Sequence, residues 1–245
     1  MDPKEIAKLC ERLNLDEHES PVLKMNPNMY EDGKEMMELC LVGRVFGNKI
    51  VNREGLSDVA EQVWHTSRKV RVESMGVTNI FMFHFGCKAD RQRVISGVPW
   101  NFGNQLMSLL KPKGVGLVSS IDFTKIPFEI QFHNVPIVCK SDKCARLWGE
   151  LIGPIMDTDT EGPMMLARVI IDVTKPLRLG LRVFTDNDSD DVSIPIQYEY
   201  LLEFCFGCGI IGHKLRECPE EEGLVSTRRP RVNRYGDWRK AFNLK

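Results

Sequence analysis

Three cysteines and one histidine fall within fourteen residues in the stretch CFGCGIIGHKLRECP, which runs from Cys205 to Pro219. Their spacing is Cys205-x2-Cys208-x4-His213-x4-Cys218. Thiolate and imidazole are the donors that zinc prefers, and four of them complete the closed tetrahedral shell of a structural site. Cys-x2-Cys places two ligands on one tight turn. A loop this short, with Gly207, Gly209 and Gly212 in it, cannot bury a core, so coordination must be its source of order. No position is left for water, so the expected Zn2+ site is structural and not catalytic. A redox pair would account for Cys205 and Cys208 but not for His213 and Cys218.

The rest of the composition sets the surroundings of this cluster. The chain has 245 residues, 42% apolar and 27% charged, with a formal net charge of −1. That is an ordinary globular balance. No apolar run approaches the roughly 20 residues needed to span a membrane. The first twenty residues, MDPKEIAKLCERLNLDEHES, are charged throughout and lack the apolar core of a secretion signal. The expected location is therefore nuclear or cytoplasmic, not secreted. Eight cysteines stay reduced there, and a cluster of them reads as metal ligands before it reads as disulfides.

Charge is distributed unevenly. After Gly223 the sequence carries seven arginines and lysines, among them Arg228, Arg229 and Arg231, against Asp237 alone. Tyr235 and Trp238 are interleaved with them. Arginine supplies phosphate contacts and aromatics supply stacking platforms, so a basic arm on an acidic body fits a polyanion partner. The same pattern fits a solubilising tail or a nuclear-import patch.

The elements that position these groups are legible in part. Residues 1–38 form a leader, with Ile6, Leu9, Cys10 and Leu13 at helical spacing and then a loop through Asn26, Pro27, Asn28 and Gly33. A strand at 40–47 precedes a helix that Asn52 caps, with Leu56, Val59, Ala60, Val63 and Trp64 on one face. Strands at 70–76 and 79–86, a helix at 89–97 and a strand at 105–110 follow. This β-α-β-β-α-β order is that of a ferredoxin-like sandwich, which RNA-binding RRM domains share. Phe81, Phe83 and Phe85 alternate on one strand and are read as core, because no basic residue and glycine precede them as an RRM signature requires.

After KPKGVG (111–116) a second patterned region reads β-α-β-β-β. It has a strand at 128–135 and a helix from Ser141 or Asp142 with Cys144, Leu147, Trp148, Leu151 and Ile152 on one stripe. Strands at 167–173, 181–184 and 192–201 follow. In the last strand Val192, Ile194, Ile196, Tyr198 and Tyr200 alternate, and Pro195 argues for an edge position. The expected fold is α+β, ferredoxin-like or RRM-like, with helices on one face of an antiparallel sheet. Residues 39–203 form one domain or two units, 39–111 and 121–203. The metal-binding loop occupies 204–219 and a flexible basic tail 220–245.

The cysteine spacing resembles the CCHC zinc knuckle of retroviral nucleocapsid proteins. Phe206 after the first cysteine, Gly209 after the second, Gly212 before the histidine, basic Lys214 and Arg216, and Cys218-Pro219 extend the match. The resemblance implies that Phe206 and Ile211 line a shallow cleft for a single-stranded base, supported by Leu215, with Lys214 and Arg216 on phosphate. Packing of Phe206 against the preceding domain, and plain solvation of the two cations, remain open.

The stretches LVGRVFGNKIVNRE, NIFMFHFGCKADRQRVISGVPWNF, PFEIQFHNVP and RVIIDVTKPLRLGLRV extend the likeness over roughly residues 2–219. The whole resembles a plant family, much of it derived from LINE-type retrotransposons, in which a domain of unknown function precedes one CCHC knuckle. The element's endonuclease and reverse transcriptase are not in the sequence, so the expectation is a truncated copy or a stand-alone gene.

No catalytic constellation is present: there is no G-x-S-x-G, no phosphate loop ending in Lys-Ser/Thr and no H-E-x-x-H. The aspartates at 186, 188, 190 and 191 lack the glycine and glutamate of a calcium loop. Cys139 and Cys144 lack a second nearby pair, and Cys10, Cys40 and Cys87 read as buried apolar fillers. The expected function is zinc-dependent, low-specificity binding of single-stranded RNA or DNA by a protein that is not an enzyme. It has no small-molecule substrate or membrane, and it has a body able to self-associate. The alternative is a knuckle that docks a protein partner.

Overall fold

The computed structural model describes residues 23–114, 116–184, 191–219 and 234–241. The predicted leader helix at 6–13 lies outside them. Where a loop through Gly33 was expected, helix α1 (Glu31–Glu38) forms, and it buries none of its residues. Glu31 and Asp32 face the positive end of its dipole, which offsets the helix-weakening glycine.

The apolar run that follows makes strand β1 (Cys40–Val45). The Asn52 side chain accepts the Glu54 N–H at 2.9 Å and starts helix α2 (Arg53–Trp64). Its buried stripe is Leu56, Ala60 and Trp64, narrower than predicted, since Val63 stays 47% exposed. Strands β2 (Arg71–Ser74) and β3 (Ile80–His84) pair antiparallel, and helix α3 (Lys88–Ser96) follows. Phe81, Phe83 and Phe85 are buried, as the sequence predicted. Trp64 meets Phe83 edge-on at 5.2 Å and stacks on Phe85 at 5.9 Å. Each such pair adds about 0.5–1.5 kcal/mol beyond its burial.

Strand β4 (Trp100–Phe102) has no counterpart in the sequence reading. It pairs with β5 (Gln105–Leu110) across a two-residue turn. Gly103 and Asn104 both take positive φ there, +53° and +68°, as a tight hairpin turn requires. The first sheet has the order β2-β3-β1-β5-β4.

The second half builds a sheet of its own, in the order β7-β8-β6-β10-β9. Its strands are β6 (Lys125–Phe132), β7 (Ile155–Asp159), β8 (Met165–Asp172), β9 (Gly180–Val183) and β10 (Val192–Tyr198). Strand β7 was not foreseen. Helix α4 (Asp142–Glu150) starts at Ser141, whose hydroxyl accepts the Cys144 N–H at 3.3 Å. Its buried residues are Ala145, Trp148 and Gly149, while Leu147 and Leu151 of the expected stripe face solvent.

Ile194, Ile196 and Tyr198 are buried on one face of β10, but Tyr200 is exposed and left-handed, beyond the strand. The predicted edge position of β10 is wrong, because the strand lies between β6 and β9. Pro195 is tolerated because its carbonyl accepts the His133 N–H at 2.9 Å just past the end of β6. Its missing donor therefore falls outside the β6 ladder. Residues 186–190 of the acidic turn lie outside the described residues; Asp191 pairs with Arg182.

The chain is a mixed α/β protein with two antiparallel sheets and four α-helices among the described residues. It divides into two compact units. The first comprises Met1–Arg44, Ile50–Gly97 and Leu109–Asp122, and the second Val45–Lys49, Val98–Ser108 and Phe123–Lys245. No helix among the described residues is long and apolar enough to cross a membrane.

Candidate metal centre

The chain leaves β10 through Leu201–Glu203 and reaches Phe204, which bridges Ile211 antiparallel. Inside that bridge the Cys205 N–H donates to the Ile210 carbonyl at 2.9 Å, and the Gly209 N–H to the Cys205 carbonyl at 2.8 Å. Gly209 takes φ +79°, and a Cβ there would lie 2.2 Å from the Tyr235 ring, so only glycine closes this turn. Gly212, at φ +101°, then aims His213 back toward the turn. A 3-10 turn at Leu215–Glu217, with the Lys214 N–H bonded to Glu217 Oε2 at 3.3 Å, delivers Cys218.

These turns gather one donor atom each from Cys205, Cys208, His213 and Cys218 within 4.8 Å of one another. Cys208 Sγ lies 3.4 Å from His213 Nε2. A zinc–sulfur bond of about 2.3 Å separates tetrahedral donors by about 3.8 Å, so the four residues fit a zinc ion. Burial pushes the Cys208 thiol up to about 12, and the neighbouring Cys205 and Cys218 sulfurs reinforce the shift. Three thiolates this close repel one another, and a divalent cation is the charge that lets them ionise together. When bound, zinc supplies a structural cross-link among the four side chains. All four predicted ligands are brought together. Cys139 and Cys144 join no such cluster among the described residues.

The loop is packed into the second unit. Phe204, Ile211 and Tyr235 belong to the same buried cluster as Phe128, Ile196 and Tyr198. The Leu177 N–H donates to the Gly209 carbonyl at 2.9 Å, and the Tyr235 N–H to the Phe206 carbonyl at 3.3 Å. Residues 234–241 were expected in a flexible tail, yet they run beside β10, with the Ala241 N–H on the Tyr198 carbonyl at 3.0 Å. Arg239 holds this segment. Its guanidinium lies 3.5 Å from the centre of the Trp238 ring, and Nη1 donates to the carbonyls of Leu179 and Ile196. Burial lowers its pKa to about 10, which leaves it a cation at neutral pH.

The predicted contact residues separate. A groove of about 530 Å³ beside the ligands has an apolar floor of Phe204, Phe206 and Leu215. Lys214, Arg216 and Lys240 line it as well, with Glu203 paired to Lys214 at 3.1 Å. Ile211 does not line it. The bridge to Phe204 turns its side chain into the core, where it is 7% exposed. Tyr235 is likewise buried and offers no stacking face. Arg228, Arg229 and Arg231 lie outside the described residues. Phe204, Glu203 and Lys240 were missed. Nothing local marks them.

Residues 33–111 match the family model described as a domain of unknown function (DUF4283), and residues 171–220 match one described as a zinc knuckle. The chain thus carries a DUF4283 domain followed by a zinc knuckle with a ligand set suited to zinc. A comparison with curated proteins found no match.

Proposed function

We propose that this protein binds single-stranded RNA or DNA, with little sequence specificity, through its zinc-ordered knuckle. The observation that supports this is the groove beside the ligands, where half-buried Phe206 and Leu215, with the buried Phe204 behind them, are ringed by Lys214, Arg216 and Lys240. Aromatic stacking is worth about 1–3 kcal/mol per base and does not discriminate strongly among bases, and the cations meet the phosphates. Arg228, Arg229 and Arg231 add long-range attraction. In this reading the protein is a binder and not an enzyme, acts in the nucleus or cytoplasm, and descends from a plant LINE-type retroelement, with a body able to self-associate.

The ferredoxin-like expectation for the leading domain draws support from the first sheet. The β1-α2-β2 unit is split by β3, and the β3-α3-β5 unit is split by β1, the interleaving such a sandwich needs. With Phe81 and Phe83 buried, base stacking falls to the knuckle and not to this sheet.

Filter binding of a labelled single-stranded oligonucleotide across a salt series tests the proposal. Cys208→Ser should remove most of the affinity together with the zinc. Unchanged binding by that variant, with its zinc lost, would overturn it and favour a knuckle that docks a protein surface.

A further inference from the structure

A second concave site lies in the same unit, where the sequence IDVTKP leaves β8. A cavity of about 380 Å³ is floored by Ile152, Pro154 and Leu177 and lined by Lys125, Lys175 and Arg178 around Asp172. Its volume falls in the range that holds a small organic ligand.

The charges in it are not equivalent. Asp172 accepts Lys125 Nζ at 2.6 Å on one oxygen, and the Thr174 hydroxyl at 2.6 Å and N–H at 3.1 Å on the other. The Lys125 bond, with the Thr174 bonds behind it, holds this carboxyl down at about 2. Asp172 is thus ionised at neutral pH and cancels Lys125. It also shapes the turn: the Lys175 N–H donates to the Asp172 carbonyl at 3.1 Å, and Pro176 then sends the chain on extended. Lys175 Nζ stands 3.8 Å from Asp172, with its side chain 75% exposed. Lys175 and Arg178 therefore carry the excess positive charge over an apolar floor.

This cavity adjoins the knuckle through the backbone. Leu177, between the two cations, donates its N–H to the Gly209 carbonyl in the ligand turn, and the Arg178 carbonyl accepts the Tyr198 hydroxyl at 3.1 Å. The base of the cavity is thus fixed to the metal loop on one side and to β10 on the other.

We infer that this cavity is a second nucleotide subsite for the same single strand, with Lys175 and Arg178 on a phosphate and Ile152 and Pro154 against the sugar and base. The inference rests on the proposed binding of single strands by the knuckle. It extends the footprint from one groove to two, and it gives the segment from Asp172 to Arg178 a binding role.

The test uses the full zinc-loaded chain and a fluorescent single-stranded 12-mer, titrated from low to high salt. Each phosphate contact on a single strand contributes about 0.7 to the slope of log affinity against log salt. The double variant Lys175→Ala/Arg178→Ala should lower that slope by about 0.7, the share of the one phosphate the two cations hold, and weaken binding at every salt concentration, with zinc content unchanged. The charge-keeping pair Lys175→Arg/Arg178→Lys should restore most of the slope. An unchanged slope in the alanine pair, while Cys208→Ser still abolishes binding, would overturn this subsite and leave the knuckle intact. Unchanged binding by Cys208→Ser would instead remove the knuckle's part.

Discussion

Each unit of this protein holds a cysteine–histidine group, and the two groups end in different chemistry. In the first unit Cys40 on β1 and His84 on β3 are cross-strand partners, with Sγ 3.1 Å from Nδ1. His84 Nε2 lies 3.1 Å from Glu73 Oε2. A carboxylate accepts, so Nε2 donates to it and Nδ1 is left to accept a hydrogen bond from the thiol. Burial pushes the Cys40 thiol up, and it keeps its proton. In the second unit His213 turns Nε2 toward sulfur that belongs to a three-cysteine set. The difference is one of backbone. A strand register sets one side chain opposite another and spends the imidazole on two partners. A glycine turn folds three sulfurs onto one point. Residue types alone do not make a metal site; the path of the chain between them does.

Removing zinc breaks this comparison most sharply. Coordination energies of about 10–16 kcal/mol are typical for such loops, so chelation should unfold residues 204–219 and release 234–241 from β10. Amide hydrogen exchange should show those segments losing protection while β1, β2 and β3 keep theirs. Equal loss in the first sheet would mean that the metal orders more than the knuckle.

The reverse experiment empties the other core. Trp64→Ala removes the ring packed on Phe83 and Phe85 and should cost about 3–5 kcal/mol. Thermal melting should fall for the first unit, and metal analysis should still find one zinc per chain. The smallest change is Cys40→Ala, which removes a buried thiol and its hydrogen bond at about 1 kcal/mol. Zinc content should not move, and a fall in it would place Cys40 in a metal site after all.

The ligand set was legible because it is local: four donors and three glycines within fourteen residues leave few alternatives. The helix starts at Asn52 and Ser141 were legible for the same reason, since a cap acts within its own first turn. Pro195 misled because its cost depends on where the neighbouring strand stops, and β6 stops at Phe132. The resemblance to a CCHC knuckle made Ile211 a contact residue, and interleaving with arginines made Tyr235 a stacking platform. The burial of Ile211 follows from its bridge to Phe204 within the same loop, and that of Tyr235 from its packing above Gly209, far away in the chain.

The sequence by itself determined the metal-ligand set, the order of strands and helices from β1 to α3, and the aromatic core of β3, because spacing along the chain carries those within one turn or one strand. Only the tertiary structure decided that the knuckle packs into the core under a five-stranded sheet and that a buried arginine pins the following segment. It also decided that Lys240 shares a groove with Lys214 and Arg216. Each of these joins positions far apart in the chain, and the physical reason is packing: which side chains meet across a core is decided by how whole elements fit together.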